Sequence, residues 1–100
     1  MKVLVLGGGG REHALVWKLR QSPRVSDVLA CPGNAGIAQL ADLVDLPLDD
    51  RHQIVQFAID NQVDLTVVGP EAPLVAGIAD VFSARLQYLY GPARAQARLE

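Results

Sequence analysis

Apolar positions change their period repeatedly along the chain, the signature of strands alternating with helices. Residues 2–6 form a short valine and leucine run stopped by glycines, which predicts a strand buried on both faces. Residues 11–21 carry Ala14, Leu15, Trp17 and Leu19 at mixed three- and four-residue spacing before Ser22-Pro23, predicting a helix of about three turns. A second strand is expected over 25–31, an irregular loop over 32–36, a short helical piece over 37–41 and a brief third strand over 43–46. Asp49 and Asp50 stand where a helix N-terminus favours negative charge, ahead of Ile54, Val55, Ala58 and Ile59 at helical spacing. Residues 65–68 read as a strand ended by Gly69-Pro70, and Pro73 suits the first turn of a helix holding Leu74, Val75, Ile78, Val81 and Phe82. A last strand over 88–90 stops at Gly91-Pro92, and a helix begins over 93–100.

Strands without a polar face, alternating with helices, imply a parallel sheet covered on both sides: an α/β, doubly wound fold. No internal repeat, low-complexity segment or linker interrupts the chain, and its last helix is cut off after about two turns, so the natural protein is expected to continue. Half of the 100 residues are apolar, enough for one core that removes roughly 65% of the unfolded surface from water without disulfides or a metal. Cys31 is the only cysteine and has no partner for a bridge, which suits a reducing cytoplasm. The apolar run after Met1-Lys2 is too short for a signal peptide or a membrane span, so a soluble cytoplasmic protein is expected. Nine basic and eleven acidic side chains give a formal charge of −2, with no two Lys or Arg adjacent. That argues against a nucleic-acid or anionic-membrane surface, which would need a basic patch.

Ligands of an open parallel sheet bind beyond the carboxyl ends of its strands. Four loops leave those ends: Gly7-Gly8-Gly9-Gly10, Pro32-Gly33-Asn34-Ala35-Gly36, Gly69-Pro70-Glu71 and Gly91-Pro92. One site along that edge is therefore expected, although glycine and proline also make ordinary tight turns. The first loop opens a helix, whose unsatisfied N–H groups and dipole attract an anion. Arg11 in the first turn opposes that dipole unless an anion shares the space; the alternative is a solvated side chain. Glu12 complements the dipole in the simplest reading, His13 serves equally well as a structural helix residue, and His52 receives no role.

A dinucleotide is the obvious candidate for Gly7-x-Gly9 between a strand and a helix. Two features oppose it: Glu12 occupies the third glycine position, and Ala30-Cys31-Pro32 ends the second strand without the acid that holds an adenosine ribose. Asp27 lies near that strand's start, on the wrong side. No lysine followed by Ser or Thr completes a P-loop either. A smaller phosphorylated ligand remains, with Glu71 available for sugar hydroxyls or an amine, or serving only as a helix-start carboxylate.

Gly7-Gly8-Gly9-Gly10-Arg11-Glu12-His13-Ala14 with Trp17-Lys18-Leu19 and Ser22-Pro23, then Pro32 to Gly36, then Val67-Val68-Gly69-Pro70-Glu71-Ala72-Pro73-Leu74-Val75-Ala76-Gly77, resemble the glycinamide ribonucleotide synthetase family in order and spacing. Gly91-Pro92, Ala95 and Leu99-Glu100 extend the resemblance through the whole chain. The resemblance implies a Rossmann-like domain, residues 1–100, placed before the ATP-grasp domains of a ligase. That ligase joins glycine to 5-phosphoribosylamine, with ATP hydrolysed to ADP and phosphate and Mg²⁺ required. The glycine carboxylate becomes an acyl phosphate, from which the sugar amine displaces phosphate. By the same resemblance Gly9, Gly10 and Arg11 contact the phosphate and sugar, Asn34 and Gly36 line the pocket, and Glu71 stands near the ribose or amine. No catalytic residue, metal ligand or cofactor site falls in this stretch. The ATP-grasp lysines and metal carboxylates are expected beyond Glu100, in further domains of the same polypeptide, and no turnover is expected from these residues alone. Two other classes stay open: a stand-alone nucleotide or NAD-binding module, and an interaction domain whose glycines only make turns.

Overall fold

The computed structural model describes residues 1–69, 77–85 and 87–90 of the chain. Its strands are β1 (Lys2–Gly7), β2 (Asp27–Pro32), β3 (Asp42–Leu43), β4 (Leu65–Val68) and β5 (Leu89–Tyr90), and its helices α1 (Gly10–Leu19), α2 (Arg51–Asp60) and α3 (Ile78–Ala84), with one 3₁₀ turn at Ile37–Gln39. The strands form a five-stranded sheet in the order β3-β2-β1-β4-β5. All four pairings are parallel: Leu6 lies opposite Cys31 on one side and Val68 on the other. The expected α/β doubly wound architecture is thus formed.

Two-residue alternation along β1 explains why its run is apolar throughout. Val3 and Val5 face a core shared with Val28, Ala30, Val67, Val16 of α1 and Ile37. Leu4 and Leu6 face the opposite core, with Ile54, Val55 and Ala58 of α2 and Ile78 and Phe82 of α3. With both faces covered, every side chain from Val3 to Leu6 is removed from water.

Several boundaries differ from the sequence expectation, each for a tertiary reason. α1 stops at Leu19, the next turn tightening through Gln21 N–H to the Lys18 carbonyl (3.1 Å) and Ser22 N–H to that of Leu19 (3.0 Å). Its buried stripe is Glu12 and Val16, flanked by Leu15 and Leu19, whereas Trp17 is 55% exposed. β2 begins only at Asp27, because Ser26 N–H turns to the Met1 carbonyl (2.8 Å). The third strand is Asp42–Leu43 rather than 43–46; Val44 N–H adds one more bond to β2, at the Ala30 carbonyl (2.9 Å), and Val44, Leu46 and Leu48 then pack against the α2-side core as a connection. Gly77 is left-handed (φ 76°), and α3 starts after it at Ile78. Leu74, Val75, Pro73 and the helix expected over 93–100 lie outside the described residues.

Asp50 caps α2, its Oδ1 accepting from the N–H groups of His52 and Gln53 (both 3.1 Å) while Gln53 Nε2 donates to Oδ2 (2.9 Å). The Gln53 backbone and side-chain donors hold its carboxyl below the ordinary 3.8. A group with a depressed folded pKa contributes stability that is present above its unfolded value and lost as pH falls through the folded one. Asp50→Ala is therefore expected to lower the melting temperature at neutral pH, with the deficit against wild type closing in acid, below about pH 4. Circular dichroism melts across pH test this, and a deficit independent of pH contradicts it.

Candidate functional site at the carboxyl edge of the sheet

Parallel pairing places the exits of β1, β2 and β4 on one edge, and backbone bonds hold them together past the strands. Gly33 N–H donates to the Gly7 carbonyl (3.1 Å), and Gly69 N–H to that of Leu6 (2.8 Å). The sheet order reverses between β1 and β4, which is the topological switch point where doubly wound folds take their ligands.

Most glycines on this edge are explained by neighbours inside the protein. A Cβ on Gly8 would stand 2.6 Å from the Gly33 carbonyl oxygen, so two loop backbones touch there. Gly7 (φ 139°) and Gly69 make room for Glu12, since a Cβ would come within 2.6 Å of its Cγ at Gly7 and of its Cδ at Gly69. Gly36 gives way to the His13 imidazole, 2.8 Å from Nδ1 by the same measure. Gly10 differs: a Cβ there meets nothing within 4 Å, its φ is not positive, and it is exposed. No packing or backbone demand within the described residues calls for glycine at that position.

α1 begins at this point with Gly9 as its N-cap. His13 N–H makes the first helical bond, to the Gly9 carbonyl (3.1 Å). The N–H groups of Gly10, Arg11 and Glu12 are therefore the orphan donors of the first turn, and the helix dipole adds to their attraction for an anion. Arg11 is exposed beside them. Glu12, treated above as a dipole complement, is instead 1% exposed; Oε1 accepts from Gly9 N–H (2.9 Å), and Oε2 is buried without a partner among the described residues. Its spacing of three from the N-cap was a legible signal, being that of half a capping box, although Gly9 has no side chain to reciprocate.

The structure brings Gly9, Gly10, Arg11, Asn34 and Gly36 to this edge, while Glu71 lies outside the described residues. Asn34 is held at both ends: Nδ2 donates to the Gly8 carbonyl and Oδ1 accepts from Ile37 N–H, each at 2.8 Å. Cys31 stands behind the edge, its thiol donating to the Leu46 carbonyl (3.6 Å) and pushed up in pKa by burial. That argues for an inert thiol. Among the described residues no three His, Cys, Asp or Glu side chains group to hold a metal, and no helix is long and apolar enough to cross a membrane. Two shallow concavities, about 460 Å³ beside Met1, Leu15 and Val25 and about 290 Å³ beside Arg20, Asp27 and Asp42, touch none of the glycine loops.

Comparison with known sequences extends the geometry. The pattern of the family described as phosphoribosylglycinamide synthetase, N domain, matches residues 1–100. The phosphoribosylamine–glycine ligase of Caldanaerobacter subterraneus subsp. tengcongensis is 50% identical over 100 residues, covering 100% of this chain and 24% of the relative. Those of Rhizobium meliloti and Brucella melitensis are both 52% identical across the whole chain, which spans 24% and 23% of their lengths. The chain thus spans about a quarter of the curated relatives it matches. Sharing the family's pattern from first residue to last, the chain belongs to the phosphoribosylglycinamide synthetase N-domain family.

Proposed function

We propose that this chain is the amino-terminal domain of a phosphoribosylamine–glycine ligase, and that its glycine edge binds the phosphate and sugar of 5-phosphoribosylamine. The observation that carries the reading is Gly10, a helix-opening glycine that no neighbour among the described residues requires. Space kept clear beside orphan N–H groups and a guanidinium suits a phosphate ester. Gly9 and Gly10 let the anion approach the backbone, and Arg11 balances its charge. Glu71 faces the ribose or amine in this reading, and Gly36 shapes the adjoining wall. Asn34 acts through the loop it holds, both ends of its amide being engaged.

These residues bind and orient. ATP and Mg²⁺ supply activation of the glycine carboxylate when bound to further domains of the same polypeptide, and no residue of this chain is assigned to them. Turnover by these residues alone is not expected.

An amide NMR titration with ribose 5-phosphate, run beside NAD, tests the site. Shifts at residues 9–13, 33–36 and 69–71 with the sugar phosphate alone are expected, and shifts with NAD alone would establish a dinucleotide module instead. In the complete polypeptide that carries this chain, Arg11→Ala is expected to lower kcat/KM about tenfold, the size of one lost charge-assisted contact. Unchanged kinetics would remove Arg11 from the site.

A further inference from the structure

One peptide unit of the glycine loop is gripped from both sides. The peptide joining Gly8 to Gly9 presents its carbonyl to Asn34 Nδ2 (2.8 Å) and its N–H to Glu12 Oε1 (2.9 Å). In a trans peptide these two groups point in opposite directions, so two bonds from opposite flanks fix the rotation of the whole plane. Both holders are themselves anchored. Asn34 is braced by Ile37 N–H on its Oδ1 (2.8 Å), and Glu12 is enclosed between Gly7 and Gly69, 1% exposed.

We propose that Glu12 and Asn34 are a pair of positioning residues that orient the Gly8 to Gly9 peptide, and so decide which backbone donors face the phosphate. Turning Gly9 N–H inward withdraws it from the ligand and leaves the N–H groups of Gly10 and Arg11 to bind. Without the pair the loop, glycine at four successive positions, has several backbone states of similar energy, and binding must select one of them. The effect therefore falls on affinity for the phosphate-bearing substrate more than on the chemical step. Naming that substrate rests on the reading above; the orientation of the peptide does not.

Two conservative variants separate the roles. Asn34→Asp keeps an acceptor for Ile37 N–H but replaces the donor to Gly8 with an oxygen, and is expected to raise KM for phosphoribosylamine about tenfold with kcat within about twofold. Glu12→Gln keeps an acceptor for Gly9 N–H and is expected to stay near wild type, while Glu12→Asp, one methylene too short, resembles Asn34→Asp. The double variant Glu12→Asp with Asn34→Asp should cost less than the product of the single effects, because both act on one peptide. In the ligand-free protein, hydrogen exchange at the Gly9 amide is expected to quicken at least tenfold in Glu12→Asp but not in Glu12→Gln. Unchanged Gly9 exchange in Glu12→Asp, an unchanged KM in Asn34→Asp, or multiplicative single effects overturn the pairing. Should the complete polypeptide show no ligase activity, the functional reading fails by itself and Gly9 exchange still decides the pair.

Discussion

Gly10→Ala is expected to leave the fold intact, or raise its stability by a few tenths to about 1 kcal/mol, while raising KM for the proposed phosphate-bearing substrate roughly thirtyfold. The stability gain follows because the residue sits in the first turn of α1 without positive φ, and its added methyl would meet nothing within 4 Å among the described residues. Alanine narrows the unfolded ensemble at no steric cost there. The functional loss follows because the same methyl would occupy space beside the Gly10 and Arg11 N–H groups, displacing an anion held by charge-assisted bonds of about 1.5–3 kcal/mol each. Thermal unfolding and steady-state kinetics on one preparation give the two numbers. Opposite signs identify a glycine kept for a ligand; a lowered melting temperature with unchanged KM would make it a structural residue and remove the main support for the site.

Phe82→Ala is expected to cost about 3–5 kcal/mol of folding stability. Phe82 has 0% exposure on α3 and packs with Leu4, Leu6, Ile54 and Val68, so its loss leaves a cavity under the β1 and β4 face. Against the 5–15 kcal/mol typical of a whole domain, such a loss is severe. Trp17→Ala provides the contrast: larger in volume but 55% exposed, it should change stability by no more than about 0.5 kcal/mol. Urea denaturation of both variants checks the pair, and a Trp17 effect rivalling that of Phe82 would mean that α1 presents a different face to the core.

Trp17 and Phe82 also show where linear reading succeeds. Phe82 belonged to a helical pattern of Leu74, Val75, Ile78 and Val81; of these Ile78 and Val81 are described, both pack on the same core, and the structure buries Ile78 with Phe82. Trp17 belonged to a pattern in which Val16 was passed over, yet Val16 is at 0% exposure. Mixed spacing tolerates two helix rotations a residue apart, and only the sheet beneath selects one. The third strand was legible but its bounds were not: β3 ends at Leu43, Val44 N–H closes the ladder on the Ala30 carbonyl (2.9 Å), and Leu46 and Leu48 are apolar because they cover the α2-side core.

The position of the first glycine loop and Arg11 at the sheet edge was legible because the motif is contiguous, and a strand followed by glycines and a helix has few ways to fold. The roles within the motifs were not. Glu12 read as a dipole complement because its burial depends on Gly69, 57 positions away, and Asn34 read as a pocket wall because its partner, the Gly8 carbonyl, lies 26 positions away.

The sequence by itself determined the alternation of strand and helix, the parallel doubly wound sheet, the shared edge of the glycine loops and, through its motifs, the family. Hydrophobic period, turn chemistry and motif spacing are local quantities that need no knowledge of distant neighbours. Tertiary structure alone decided what five glycines of these loops make room for. Gly8 yields to a backbone, Gly7 and Gly69 to a carboxylate, Gly36 to an imidazole and Gly10 to nothing within the described chain, and those neighbours exist only once the sheet order β3-β2-β1-β4-β5 brings the loops together.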